Sequence, residues 1–496
     1  MKAYYDRRQK MAYKHGTYGE ISASKAVAAA QADTVVVYVG TAPIQKIAGY
    51  STKGLINQPV RLRNLAEAKA TFGYSEDWAK FSLCEVFDEH FNNSVENAGP
   101  IYVINVLDPS TDKGTQVTIS DADFTSGKVY IANDLCDVDS VRVTGKVLDT
   151  DYSVTYDAVN DRVVVEDLTG AMTEEDITYY PVDVTGVTSS DIIGTDSGGV
   201  STGIQAIKKI YAKYNAVVNI IAVPGWSELP TVYTAMVAAA QKINGHWDAF
   251  VIADIPLDDN GTPVDTKEKA IAWAASNGYN SEISKVCWPQ VKAGNGKIYH
   301  GSTVVAWEML RVDLANDSIP MESPSNKEIM ATAQYFGASA TNEGYDDTEC
   351  NDLNEKGITT FCFNSGWKVW GPHTAAYKYG TTMDPRCIFD VNMRMLMYIT
   401  NGFQLRHGTE IDSPMTPAQK DTIINTENAE LERLKANGAV IGEASVEFLE
   451  TDNPLNNMLN GDFVFNISFT ATPPFKSATA RVAYTSDGFA AFFGGE

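Results

Sequence analysis

The sequence predicts a mixed α+β and α/β protein of several domains. It has an α/β core, an inserted all-β domain, and a C-terminal α/β domain ending in an extended strand arm. Three observations predict this. Over residues 31–113 and 196–370, apolar β-branched runs bounded by turn residues alternate with helical segments, the rhythm of a largely parallel sheet covered on both faces. Residues 114–195 break that rhythm with short alternating strands. From residue 371 the chain reads as two helices and one alternating strand, closed by Pro473 and Pro474, which forbid further ladder pairing.

The elements follow in order. Residues 1–30 read as an arm: a basic head, MKAYYDRRQKMAYK, then a small-residue-rich stretch. Val35–Val39 is a continuous apolar run ended by Gly40 and Pro43, which suits a buried central strand. Residues 64–72 and 78–91 read as helices, and 101–109 as the next buried strand. Segments such as KVYIAN, SVRVTG and DRVVVED, separated by Gly, Asn and Asp turns, suggest a small β-sandwich within 114–195. Residues 188–201 read as the return linker. Helices at 202–214, 231–243 and 265–277 then alternate with apolar strands, followed by a helix at 301–315 and a mixed loop region. Residues 371–460 form the C-terminal domain. Residues 461–496 form the strand arm, in which Phe463, Phe465, Ile467 and Phe469 alternate to bury one face.

Length and composition narrow the function. The 496 residues suffice for two to four domains, with 44% apolar and 21% charged content. A net charge of −24 makes nucleic-acid phosphates and anionic lipid poor partners. The first fourteen residues carry five basic residues against one Asp. Such a head either favours contact with the acidic body of another copy or is a solvated terminus, and Met11 offers an alternative start. The six cysteines lack a CxxC pair, so neither a zinc site nor a disulfide framework is expected. No apolar run approaches the roughly eighteen residues of a membrane span, and no signal peptide is visible.

The motifs that usually carry chemistry are incomplete. Asp196-Ser197-Gly198-Gly199 matches the surroundings of a protease serine. However, no histidine has the neighbourhood a triad requires, and the tetrapeptide falls in the linker. The glycines of 198–203 follow no apolar strand, and those of 294–297 open no helix, so neither is a phosphate cradle. His15, His90, His246, His300, His373 and His407 are isolated. Asp258-Asp259 and Asp346-Asp347 lack the register of a Ca²⁺ loop. The expected catalytic, cofactor and metal residues are therefore none, and the remaining enzyme hypothesis rests on the α/β sheet alone.

Five stretches together resemble the tail sheath proteins of contractile-tailed bacteriophages, the sheath family of contractile injection systems. They are Gly16 and Tyr18 with Gly40-Thr41-Ala42-Pro43; Val223-Pro224-Gly225 with Ala253-Asp254-Ile255-Pro256; Arg311 and Asp313 with Pro324-Ser325-Asn326; Leu353, Gly357, Ile358 and Trp370-Gly371; and Asn392, Arg394, Leu434 and Gly438 with the strand from Gly461 to Pro474. His373 stands where the family usually has Arg, and Met393 and Met395 flank Arg394 where a basic pair is common.

The resemblance implies a structural subunit without a cofactor. Copies would form six-membered rings stacked helically around an inner tail tube, joined by woven arms and bounded by baseplate and tail terminator proteins. Contraction would drive the tube through a target envelope. The particle would be a virion tail assembled in the host cytoplasm, or alternatively a tailocin or an intracellular secretion machine. Tyr18, Phe463, Phe465, Ile467 and Phe469 would be inter-subunit arm residues. The helix Thr416–Asn437 would face the tube, or else be a core helix with a solvated face, with Leu431 and Leu434 inward and Glu427, Glu430, Glu432, Arg433 and Lys435 exposed. The β-rich insert would point outward.

Overall fold

The computed structural model describes residues 33–494. The expected arm 1–30, including Tyr18, lies outside the described residues.

The core opens with β1 (Val36–Gly40), every residue of which is buried. Next come β2 (Pro59–Leu62), α1 (Leu65–Phe72), α2 (Ser82–Phe91) and β3 (Ile101–Asn105). Asn64 caps α1 by accepting from the Glu67 amide. Helix α2 begins four residues later than the sequence suggests and is buried along its whole length, including Glu85, Asp88, Glu89 and His90.

The insertion follows as β4 (Val117–Asp123), β5 (Lys128–Ile131), β6 (Arg142–Val143), β7 (Tyr152–Asp157), β8 (Arg162–Asp167) and β9 (Glu174–Tyr179). They form two three-stranded sheets, β4-β9-β6 and β5-β8-β7, which share a core of their own running from Ala122 to Tyr179. Val182, Val187 and Ile192 belong instead to the main core, so the unit is shorter at its C-terminal end than the expected 114–195. Its two strands of entry and exit lie side by side: Lys113 bridges Val182, and the Gly114 amide donates to the Pro181 carbonyl at 2.8 Å. The sandwich is fastened to residues 45–50 of the core. Lys46 pairs with Asp161 at 2.6 Å, the Gly49 amide donates to Asp139 at 2.7 Å, and the Tyr50 hydroxyl donates to Asp137 at 3.2 Å.

The α/β rhythm then resumes. A 3₁₀ turn, Gly203–Lys208, leads into α3 (Lys209–Tyr214), where a single α-helix was expected. The chain continues through β10 (Ile220–Ala222), α4 (Pro230–Ala239), β11 (Phe250–Asp254), α5 (Lys267–Ser276), β12 (Ser284–Cys287) and α6 (Gly301–Ala315). The segment read as loops contains α7 (Asp347–Asn354), β13 (Ile358–Phe363) and β14 (Trp367–Trp370). The central sheet has the order β2-β3-β1-β10-β11-β12-β13-β14. Its six inner strands are parallel, and the two edge strands run antiparallel.

The C-terminal domain comprises α8 (Asp390–His407), α9 (Pro417–Ala436), β15 (Val440–Glu447), α10 (Leu455–Leu459) and β16 (Asn466–Ala471). Thr416 caps α9 by accepting from the Gln419 amide, and Pro417 occupies the first turn, where its missing amide hydrogen is harmless. Strands β15 and β16 pair antiparallel, and their apolar face covers a core shared with α8 and α9.

Candidate assembly surface

In open α/β sheets, ligands bind at the carboxyl ends of the strands where the strand order reverses. Here that point lies between β1 and β10, and side chains fill it. A Cβ built on Gly40 would meet Ser82 Oγ at 2.4 Å, and one on Gly225 would meet the His300 ring at 3.7 Å. His300 donates its backbone amide and presents Nδ1 to the buried Glu85 carboxylate, each at 2.7 Å. Its Nε2 faces Glu228 at 3.7 Å. Burial opposes charge on this imidazole, but the Glu85 charge and hydrogen bond outweigh it and raise the pKa to about 10. Burial lifts Glu228 to about 7. Asp254, at the end of β11, accepts from the Ser302 amide at 2.7 Å and from Ser227 Oγ at 3.3 Å. These groups hold one another.

The Asp196-Ser197-Gly198-Gly199 tetrapeptide is the tip of a hairpin. Asp196 and Ser197 pair antiparallel with Ser201 and Val200, and Gly198 and Gly199 supply the positive φ values of its two-residue turn. Among the described residues no cluster of His, Cys, Asp and Glu is arranged to hold a metal ion. No helix among them is long and apolar enough to cross a membrane.

The alternating strand packs on its own domain. Phe465 meets Phe448 and Phe403 at ring distances of 5.3 and 6.1 Å, Phe463 meets Phe448 at 6.4 Å, and Ile467 and Phe469 cover the α8–α9 core. A run of exposed apolar side chains follows it. Phe475, Val482, Tyr484, Phe492 and Phe493 are each 81–92% exposed, and Phe489 is 58% exposed. Residues 476–494 are exposed throughout. The signal for this was present in the sequence as aromatic residues among Ala, Ser, Thr and Gly, a composition too poor in apolar mass to bury itself. Beside this segment lies a cleft of about 650 Å³ lined by Trp370, Tyr377, Tyr379 and Pro474–Ser477.

Helix α9 divides the expected tube-facing residues. Glu427 is 2% exposed, a correction to its expected exposure. It accepts from Arg406 Nε and Nη2 at 2.8 and 2.7 Å and faces His407 Nε2 at 2.8 Å. Burial alone would raise the Glu427 carboxyl, but the bonds from Arg406 and His407 hold it below the usual range. Glu430 is half-buried and bonded to Arg433, while Glu432, Arg433 and Lys435 reach solvent.

No protein-family model matches the chain. Its sequence is 25% identical over 305 residues to a putative prophage major tail sheath protein of Pseudomonas aeruginosa (strain UCBPP-PA14), covering 60% of this chain and 72% of that protein. It is 24% identical over 309 residues to the tail sheath protein of Escherichia phage P2, covering 60% and 71%. The fold aligns with a chain of the anti-feeding prophage baseplate at a TM-score of 0.56 and 14% identity, covering 96% of this chain and 99% of that one. It aligns with a chain of the PVC sheath complex, an extracellular contractile injection system in its contracted state, at 0.53 and 12%, with the same coverage. The chain is therefore similar in sequence to tail sheath proteins of a phage and a prophage and shares its fold with a chain of the PVC sheath complex.

Proposed function

We propose that this chain is the structural subunit of a contractile tail sheath. Copies polymerise as stacked rings around an inner tube, and contraction drives the tube through a target envelope. The kinship with tail sheath proteins carries this reading, and the C-terminal segment supplies a physical means. The exposed segment after the strand, irregular over 473–485 and a 3₁₀ helix over Asp487–Phe493, buries its aromatic side chains only against another chain. The two-stranded β15-β16 sheet offers a partner strand an edge. In this reading the energy for contraction is stored at assembly, when the lower-energy packing is kinetically withheld.

In this reading the partners are further copies of the chain, an inner tube protein, and baseplate and terminator proteins. The site of action is a phage tail or phage-like particle assembled in the host cytoplasm. The β-sandwich points outward, and the solvated side of α9, with Glu432, Arg433 and Lys435, faces the tube. The test is electron microscopy of the purified full-length chain, co-expressed with its inner tube protein, beside a chain lacking residues 472–496. Hollow cylinders are expected from the full-length chain with its tube protein and not from the truncated chain. Dispersed full-length monomers in the presence of the tube would overturn the reading.

A further inference from the structure

Asp313 and Arg394 form an ion pair with side chains 1% and 4% exposed. It joins α6 of the core to α8 of the C-terminal domain. Thr34 Oγ1, at the root of the chain that precedes β1, donates to the same Asp313 Oδ2 at 3.0 Å. The next amide, Val35 N–H, donates to Asn219 Oδ1 at 2.9 Å. Three separate stretches of chain thus converge on one carboxylate.

The convergence leaves two polar atoms over. Asp313 Oδ1 and Arg394 Nη1 are buried without a protein partner, and both residues line a cavity of about 20 Å³ together with Thr34, Asn219, Asp248 and Ser318. A buried charged group left without its hydrogen bonds is strongly disfavoured. One water molecule needs roughly 10–15 Å³ of such space and two to four polar partners. The cavity therefore suits one water and nothing larger. The Asp248 and Asp313 carboxylates oppose an anion, and the Arg394 guanidinium opposes a metal cation.

We propose that a single structural water, accepting from Arg394 Nη1 and donating to Asp313 Oδ1, completes a three-way polar joint that fixes the root of the N-terminal segment to both the core and the C-terminal domain. Moving Thr34 then costs a hydrogen bond to a buried carboxylate, so a pull on the preceding chain loads α6 and α8 together rather than turning about a free hinge. The joint holds in the single chain and does not depend on polymerisation.

Two measurements on the full chain test it. A density map fine enough to show ordered water should carry a peak within hydrogen-bond distance of both Asp313 Oδ1 and Arg394 Nη1. Ordered side chains with no peak, or an Arg394 Nη1 bonded to a protein acceptor, would overturn the water. The second is hydrogen exchange of Thr34→Val, which keeps the shape of Thr34 and removes its donor. Exchange at the Val35 amide, and at Ile220, whose amide donates to the Val35 carbonyl, is expected to quicken about tenfold while the β11 amides keep their rates. Unchanged exchange at Val35 would overturn the joint. Faster exchange throughout the sheet would also count against it, since the side chain would then support the core generally rather than the arm root.

Discussion

Lys285 on β12 and Asp390 in the first turn of α8 meet at 2.9 Å with neither side chain reaching solvent. Thr359 Oγ1 and the carbonyls of Gly371 and His373 also lie within hydrogen-bond reach of the lysine's three N–H donors, at 3.2, 2.7 and 3.0 Å. Asp390 accepts from Ser323 Oγ at 2.9 Å. A charge this deep is tolerable only because every position around it is filled, and the pair joins the central sheet to the C-terminal domain. Removing one partner leaves the other buried and uncompensated. Lys285→Met and Asp390→Asn are each expected to cost about 3–5 kcal/mol in chemical unfolding. Lys285→Met combined with Asp390→Leu should recover much of that. Single variants as stable as the parent would show that the pair does not hold the domains.

The sandwich makes a second prediction. Its entry and exit strands are hydrogen-bonded neighbours at Gly114 and Pro181, so replacing residues 115–180 with a short Gly-Ser link should leave a folded core. Excising 114–195 should not, because it also removes Val182, Val187 and Ile192 from the main core. At about 1.5–3 kcal/mol for each large aliphatic side chain, that loss is a large part of a domain's net stability. Circular dichroism and gel filtration of the two deletions decide it. Equal behaviour would remove the boundary argued for here.

These cases show what the sequence could carry. Helix α6 was legible to the residue, because His300-Gly301 and Asn316-Asp317 punctuate a strong helix-forming run. Helix α9 was legible from Thr416, Pro417 and Gly438. The edge strand β2 and the β13–β14 hairpin were not read, since short antiparallel edges owe their order to neighbours distant in sequence. Local pattern likewise placed Glu427 on a solvated face, whereas its burial is decided by Arg406 and His407, some twenty positions earlier. The alternation from Phe463 to Phe469 gave a strand and a buried face. It could not say that the face would be covered by α8 and α9 of the same chain.

Glu228 gives the third prediction, on pH. Its Oε1 is buried without a hydrogen-bond partner, and burial raises its pKa from 4.5 to about 7. A carboxyl raised by folding contributes stability that is full below its unfolded pKa and is lost as pH rises through the folded value. Unfolding midpoints measured from pH 5 to 8 should therefore fall in the parent, and fall less steeply in Glu228→Gln. Parallel pH profiles would show that Glu228 ionises freely in the fold.

Helix α9 separates structural from binding residues. Glu427→Ala strips Arg406 and His407 of a buried carboxylate and should cost about 3–5 kcal/mol. Glu432→Ala and Lys435→Ala, on the solvated side, should stay within about 0.5 kcal/mol of the parent. If this side faces the inner tube, the double surface variant should still form cylinders but pull down less tube protein than the parent. Undiminished tube binding would place the contact elsewhere.

The C-terminal aromatics give the most direct prediction, because two groups of phenylalanines about twenty residues apart should fail in opposite ways. Phe465 and Phe469 are half-buried against the core of the C-terminal domain, so replacing either with Ala should cost about 2 kcal/mol and lower the melting temperature of the isolated subunit. Phe489, Phe492 and Phe493 are exposed in the single chain, so replacing all three with Ser removes nothing the monomer uses. Its melting temperature should match the parent, while sedimentation and electron microscopy should show polymer lost or shortened. Polymer of normal length from the triple Ser variant would mean that the exposed aromatics seat on no neighbouring copy, and that assembly depends on the β15-β16 edge or on the chain before Asp33. A triple variant that melts early would mean that these rings pack within their own subunit, leaving the exposed segment without a role in holding copies together.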